Sequence, residues 1–256
     1  MSNVMRRISF ILFVLALTIY HSELSAGEVI KTQESKRGLA IIGDAWHSAA
    51  YQYTSIVKQM KNKGVETDVV YDYDVPFDGL EVYDIIVISR WGLDDLHNFK
   101  EGLFLSPEWK ENQWMTSEQE EKIEEYVKNG GNLFLHHAGH AYYSEGGSIR
   151  RLAKATHEGH PPRVEIEVYP TGDMPELSKG IKPFRITDEE YRMEIDESTT
   201  VFLKSKSEKN GVANQGWVHD YGQGKVVVLV PGHDSNSLGK KSVKQLISNV
   251  IDYLNK

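Results

Sequence analysis

The chain has 256 residues, 40% apolar and 26% charged, which excludes a disordered or fibrous polymer and leaves enough chain for one large domain. Lys plus Arg number 29 against 37 Asp plus Glu, a net charge of −8, which argues against nucleic acid and anionic lipid as partners. Cysteine is absent, so disulfides, thiolate-held zinc and a thiol nucleophile are excluded.

Residues 1–27 read as an export signal. Arg6 and Arg7 precede a largely apolar stretch from Ile8 to Tyr20, and the small residues Ser25, Ala26 and Gly27 follow. The stretch is shorter than the about 20 residues a membrane-spanning helix needs. The reading predicts a mature domain over 28–256, exported to the periplasm or the medium, without stable membrane insertion.

Gly38 to Gly43 (GLAIIG) is a short apolar run, as expected of a parallel strand covered on both faces. Helical spacing follows over Ala49 to Asn62, and Gly64 terminates it. Val65 to Tyr71 and Tyr83 to Ser89 predict two more strands. A helix is expected over Thr116 to Asn129, with Ser117 and Glu120 at capping-box spacing and Gly130-Gly131 as its stop. Asn132 to His136 is the next strand. This β-α-β-α order argues for a parallel sheet between helical layers.

In the second half, Val164 to Tyr169 alternates like a half-exposed strand, and Thr200 to Leu203 and Asn214 to His219 are further candidates. Tyr221 to Gly224 turns a hairpin into the apolar Lys225 to Val230, and Ser242 to Leu254 is an amphipathic helix. The Trp-rich stretch from Arg90 to Met115 fits no regular element. A loop of that length is usually functional.

Ligands bind an open parallel sheet beyond the carboxyl ends of its strands. The first strand leaves into Asp44-Ala45-Trp46-His47, the third into Arg90-Trp91, the fourth into His137-Ala138-Gly139-His140, and the last apolar strand into Pro231-Gly232-His233. Histidine stands at three of these four exits. His136 reads as a strand residue facing a covering helix. Asp188 and Glu190, in Thr187-Asp188-Glu189-Glu190-Tyr191, read as a solvated acidic turn. No glycine-rich dinucleotide fingerprint, P-loop or nucleophile elbow is present, so no nucleotide cofactor is expected.

Several motifs occur together: Gly43-Asp44-x-x-His47-Ser48, His137-Ala138, Gly159-His160-Pro161, Thr187-Asp188-Glu189-x-Tyr191, Trp217-x-His219-x-Tyr221-Gly222-x-Gly224-Lys225-Val226 and Gly232-His233. In this order they resemble the ThuA-like, trehalose-utilisation proteins of the class I glutamine amidotransferase-like superfamily. The resemblance runs from about Arg37 to Tyr253. It implies an α/β, flavodoxin-like three-layer sandwich with a mostly parallel sheet and a β extension. It also implies a role in carbohydrate metabolism, with trehalose-like disaccharides or keto-sugar derivatives as substrates. The superfamily's cysteine nucleophile would stand near His136-His137-Ala138-Gly139, and this chain has none, which excludes glutaminase chemistry.

The expected activity is that of a sugar-acting hydrolase, lyase or isomerase. His137 or His233 would be the general base, Glu189 the acid or orienting group, and Tyr191 a donor to a developing oxyanion. A divalent metal, zinc by ligand type, would be held by His47, His137, His160 and Glu189. Asp44, Trp46, Trp91, His140 and Trp217 are the candidates to bind a small saccharide. The alternative is a non-catalytic saccharide-binding or regulatory module on the same fold. The sequence does not specify the oligomeric state.

Overall fold

The computed structural model describes residues 35–95 and 112–256; the expected leader and Trp109 lie outside them. Strands β1 (Lys36–Ile42), β2 (Val65–Val70), β3 (Ile85–Ser89), β4 (Asn132–His136) and β11 (Gly224–Leu229) form the parallel half of a nine-stranded sheet. β5 (Ala155–His157) and β8 (Met193–Ile195) pair separately. The antiparallel extension comprises β6 (Val164–Pro170), β7 (Phe184–Asp188), β9 (Thr200–Ser207) and β10 (Gly211–Tyr221). The order across the large sheet is β2-β1-β3-β4-β11-β10-β9-β6-β7. The α/β class and the flavodoxin-like arrangement of the parallel strands agree with expectation.

Alternation sorts the strand residues between two cores. Leu39, Ile41, Ile86, Ile88, Leu133 and Leu135 face α2 (Ser117–Lys128) and α3 (Ser148–Ala153) through Ile123, Val127, Ile149 and Leu152. Ala40, Ile42, Ile85, Val87 and Phe134 face the opposite layer. That layer is α1, continuous through Ala49–Gln52, a π-turn at Tyr53–Val57 and Lys58–Asn62, together with α5 (Lys241–Leu254). A short helix, α4 (Ser235–Gly239), precedes α5. Full burial of each such Leu or Ile contributes about 1.5–3 kcal/mol, so the two faces stabilise the sheet without covalent staples.

The capping box of α2 lies one residue earlier than expected. Thr116 Oγ1 accepts from the Gln119 amide at 3.2 Å, and Gln119 Oε1 accepts from the Thr116 amide at 2.9 Å. Glu120 is instead buried and accepts the amide of Ile149 at 3.0 Å, which joins α2 to α3. Trp91 and Trp114 are both buried, and Trp114 Nε1 donates to the Trp91 carbonyl at 2.9 Å. That part of the Trp-rich stretch is packed onto the body.

Candidate functional site

The carboxyl ends of β1, β4 and β11 open on one side of the sheet, and the end of β7 reaches the same place from the extension. After β1, the Asp44 carboxylate gathers the loop around itself. It accepts the amides of Trp46 and His47 at 2.9 Å each and that of Trp91 at 3.1 Å. It also accepts His47 Nδ1–H at 2.7 and 2.8 Å on its two oxygens. Burial raises the Asp44 pKa, but His47 and these amides outweigh it and hold the group below the usual carboxylate range. With Nδ1 engaged, His47 turns the lone pair of Nε2 away from Asp44.

After β4 the chain enters a 3-10 turn, His137–His140. His137 has φ +50°, a left-handed conformation that a residue with a side chain seldom adopts. Two contacts enforce it. A Cβ on Gly139 would lie 2.0 Å from the Ile88 carbonyl, so only glycine lets the turn press onto β3. The carbonyl of Val230 accepts His137 Nδ1–H at 2.7 Å, which leaves Nε2 as the free lone pair.

Around that lone pair stand Tyr191 Oη at 3.1 Å, Glu189 Oε2 at 3.3 Å and His233 Nδ1 at 3.3 Å. His233 Nδ1 and Glu189 Oε1 are 3.1 Å apart. The His47 ring lies 4.8 Å from that of His137 and 5.0 Å from that of His233, centroid to centroid. One donor atom from each of His47, His137, Glu189 and His233 falls within 4.8 Å of all the others. Donors around a tetrahedral ion with bonds of about 2.1 Å stand about 3.4 Å apart, and three of these pairs are already near that spacing. Lone pairs of two imidazoles and a carboxylate repel unless a cation or a shared proton lies between them.

The surrounding charge points the same way. Asp44, Asp188, Glu189 and Glu190 are all buried, and among the described residues none of them pairs with a lysine or arginine. Burial raises Asp188, offset in part by His137 and the amides of Glu189, Gly232 and His233. Burial also raises Glu189, but His137 and His233 outweigh it and take the group far below its usual value. For His137, burial lowers the pKa, and Glu189 together with Asp188 more than reverses this. Tyr191 is pushed well above its usual range, by burial first and then by the neighbouring carboxylates, so its hydroxyl stays protonated. The residues present therefore fit a metal ion.

The structure places the remaining candidates elsewhere. His160 lies on the rim, its side chain 30% exposed, with Nε2 3.7 Å from Glu189 and its ring stacked on Tyr191. His233 takes the fourth place that the ligand expectation gave to His160. His140 is buried behind Tyr191, with Nε2 3.0 Å from Met193 Sδ. Trp217 is wholly buried in β10 and donates to the Ala153 carbonyl at 2.8 Å, so it packs the floor and does not line an opening. Trp91 is buried, and its Nε1 donates to Asp95 at 3.0 Å; Trp46 beside it is 48% exposed. His136 is buried at the end of β4, with Nδ1 2.8 Å from Ser89 Oγ, and does not enter the group.

Asp188 and Glu190 correct the reading of a solvated turn. Asp188 accepts the amides of Gly232 at 2.9 Å and His233 at 3.3 Å. Glu190 accepts from Ser205 at 2.9 Å, Ser207 at 2.7 Å and Asn210 at 2.8 Å. Both anchor the bend that aims Glu189. The sequence signal was the run Thr187-Asp188-Glu189-Glu190-Tyr191 itself, whose three acids have three different partners.

The family model for trehalose utilisation, ThuA, matches residues 41–254. No curated protein matches the chain. Among solved structures it is similar to a ThuA-like protein of Parabacteroides merdae at 17% identity, covering 86% of this chain and 90% of that one, TM-score 0.65. It is also similar to two proteins of Salmonella typhimurium. One is 18% identical, covering 85% and 98%, TM-score 0.58. The other is 15% identical, covering 86% and 100%, TM-score 0.60. The two Salmonella proteins are described as cytoplasmic, which overturns the expectation that a chain of this type is exported. The stretch 1–27 on which that expectation rested lies outside the described residues. With the family model spanning most of its length, the chain belongs to the ThuA, or trehalose utilisation, family.

Proposed function

We propose that this protein is a metal-dependent enzyme acting on a disaccharide or keto-sugar derivative, by hydrolysis, elimination or isomerisation. The observation that carries the reading is the meeting of His137 Nε2, His233 Nδ1 and Glu189 at 3.1–3.3 Å, with the lone pair of His137 fixed by the Val230 carbonyl. The saccharide comes from the family to which the chain belongs.

His47, His137, Glu189 and His233 would hold the ion, and an all-nitrogen-and-oxygen set of this kind suits zinc. When bound, such an ion polarises a carbonyl or lowers the pKa of water. Asp44 and the Val230 carbonyl keep the two imidazoles in the ligating tautomer, as outer partners of metal-bound histidines do. Tyr191 Oη, protonated and 3.1 Å from His137, is placed to donate to an oxygen on which negative charge develops. His160, on the rim and 3.7 Å from Glu189, is the group with solvent access and can exchange a proton between substrate and water.

The test is turnover of a panel of trehalose, keto derivatives of it and related disaccharides by full-length protein, stripped of metal and then given zinc or manganese. Turnover that requires added metal and is lost in Glu189→Gln supports the reading. Turnover unaffected by chelation contradicts it.

A further inference from the structure

On the side of the sheet that faces α1, the strands are apolar until their last inward positions. β3 runs Ile85, Val87, Ser89 on that side, and β4 runs Phe134, His136. Ser89 and His136 are wholly buried, and neither belongs to the four-donor group. An apolar residue at either place would add burial without a polar group to satisfy, so stability alone does not call for these two.

Their partners tie the strand ends together. The Gly43 amide donates to Gln52 Oε1 at 2.7 Å, and Gln52 Nε2 donates to the Ser89 carbonyl at 2.8 Å. Ser89 Oγ and His136 Nδ1 stand 2.8 Å apart, and His136 Nε2 donates to the Pro231 carbonyl at 3.3 Å. Gly232, at φ +145°, rests on the same ring, where a Cβ would lie 2.6 Å from both Cε1 and Nε2 of His136. A belt of side chains thus runs beneath the ends of β1, β3, β4 and β11. Gly43 precedes Asp44, which holds His47; His136 precedes His137; Pro231 and Gly232 precede His233. The belt touches the root of each loop that supplies a histidine to the group.

A buried polar network whose members have partners rigidifies the backbone it joins. Here that backbone decides how far donors from different strands stand apart, such as the 3.3 Å between His137 Nε2 and His233 Nδ1. We propose that His136 is a positioning residue for the metal-binding group. Its ring supports the Pro231-Gly232 backbone at the height that brings His233 to His137. Through Ser89 and Gln52 the same constraint reaches the loop of His47. The proposal rests on the metal reading above.

The experiment loads full-length protein with cobalt(II) and records its visible ligand-field bands, which report donor geometry. Zinc affinity is measured beside it by chelator competition. The proteins are the wild type, His136→Phe, His136→Gln and Ser89→Ala. His136→Phe keeps a ring but loses both bonds, and should weaken zinc about tenfold and change the cobalt bands. His136→Gln places an N–H at the reach of Nε2, and should recover most of the affinity and the wild-type bands. Ser89→Ala removes only the hydroxyl behind the ring and should cost about threefold. A purely structural role would lower the thermal midpoints and leave the bands and affinity alone. Wild-type bands and affinity in folded His136→Phe overturn this inference alone, as does a Gln variant no better than Phe. Should His136→Phe not fold, wild-type bands and affinity in Ser89→Ala overturn it. Absence of cobalt and zinc binding by the wild type overturns it together with the metal reading.

Discussion

Asp188, the last residue of β7, accepts the backbone amide of His233 from the loop after β11 at 3.3 Å. The antiparallel extension and the parallel half of the sheet are thereby tied at the point where Glu189 and His233 face each other across 3.1 Å. Asp188 also accepts the amides of Gly232 and Glu189, so one carboxylate satisfies three buried donors. Asn in its place has a single acceptor oxygen and leaves a buried N–H unpaired. Asp188→Asn should weaken metal binding about 10–100-fold, the usual loss for an outer partner. Competition with a chromogenic chelator measures it, and an unchanged affinity would show that the tie does not position His233.

Asp44 acts on the tautomer of His47. Its replacement by Asn permits the side-chain amide to donate to Nδ1 and moves the ring proton to Nε2, away from the ligating form. Asp44→Asn should therefore also cost about 10–100-fold in metal affinity. Proton–nitrogen correlation spectra of the imidazoles read the tautomer directly, and Nδ1–H in both proteins would refute this role.

Trp217 separates a core role from a sugar-binding one. Trp217→Phe removes the hydrogen bond to Ala153 and leaves a void in β10, with an expected cost of about 1–3 kcal/mol in urea unfolding. Metal content and saccharide affinity should stay as in the wild type. A selective loss of sugar binding would return Trp217 to the site.

Gly139 is required by the turn that presents His137. Gly139→Ala forces a methyl group against the Ile88 carbonyl in a packed region. The expected cost is about 2–4 kcal/mol, at or above the usual upper range for overpacking, because the obstacle is backbone. A fall in the thermal midpoint of less than 2 °C would show that β3 and the turn can separate freely.

His157 and His219 predict acid sensitivity. Burial lowers both to about 4, helped by His160 for His157 and by Lys154 for His219. The unfolded chain binds protons at these sites from about pH 6.5 downward, whereas the folded chain resists until about pH 4. Their contribution to stability is complete above pH 6.5 and is lost as pH falls, by at most about 1.4 kcal/mol per pH unit for each ring. Solvent screening reduces this, as neither ring is fully enclosed. Urea midpoints should decline from pH 6.5 to 4.5, and the decline should be shallower in His219→Asn. Identical slopes in the two proteins would contradict the assignment.

The parallel strands were legible because their runs, such as Ile85 to Ser89 and Asn132 to His136, are apolar on both faces and so survive any choice of register. β7 was not, since Phe184–Asp188 is short, alternates with Arg185 and Thr187, and ends in acids whose burial depends on amides and hydroxyls distant in sequence. Of the four donor residues, His47 and His137 are expected as ligands from the convergence of strand exits in this topology, and Glu189 only from the family resemblance. The choice between His160 and His233 turned on how far each loop reaches. His233 follows a buried strand directly, while His160 sits in a Pro-rich loop that stops at the rim. Trp217 was misplaced because tryptophan suits both a pocket and a core. Its alternation with Val218, which faces the opposite layer, was the available sign that it belongs to the floor.

The central claim is that His47, His137, Glu189 and His233 form one metal site. The direct measurement is elemental analysis of untagged full-length protein after zinc loading and desalting, beside His233→Ala, Glu189→Gln and His160→Ala. The account predicts about one ion per chain in the wild type and in His160→Ala, and a substoichiometric content in the other two. No retained metal in the wild type, or retention in His233→Ala with loss in His160→Ala, would contradict it.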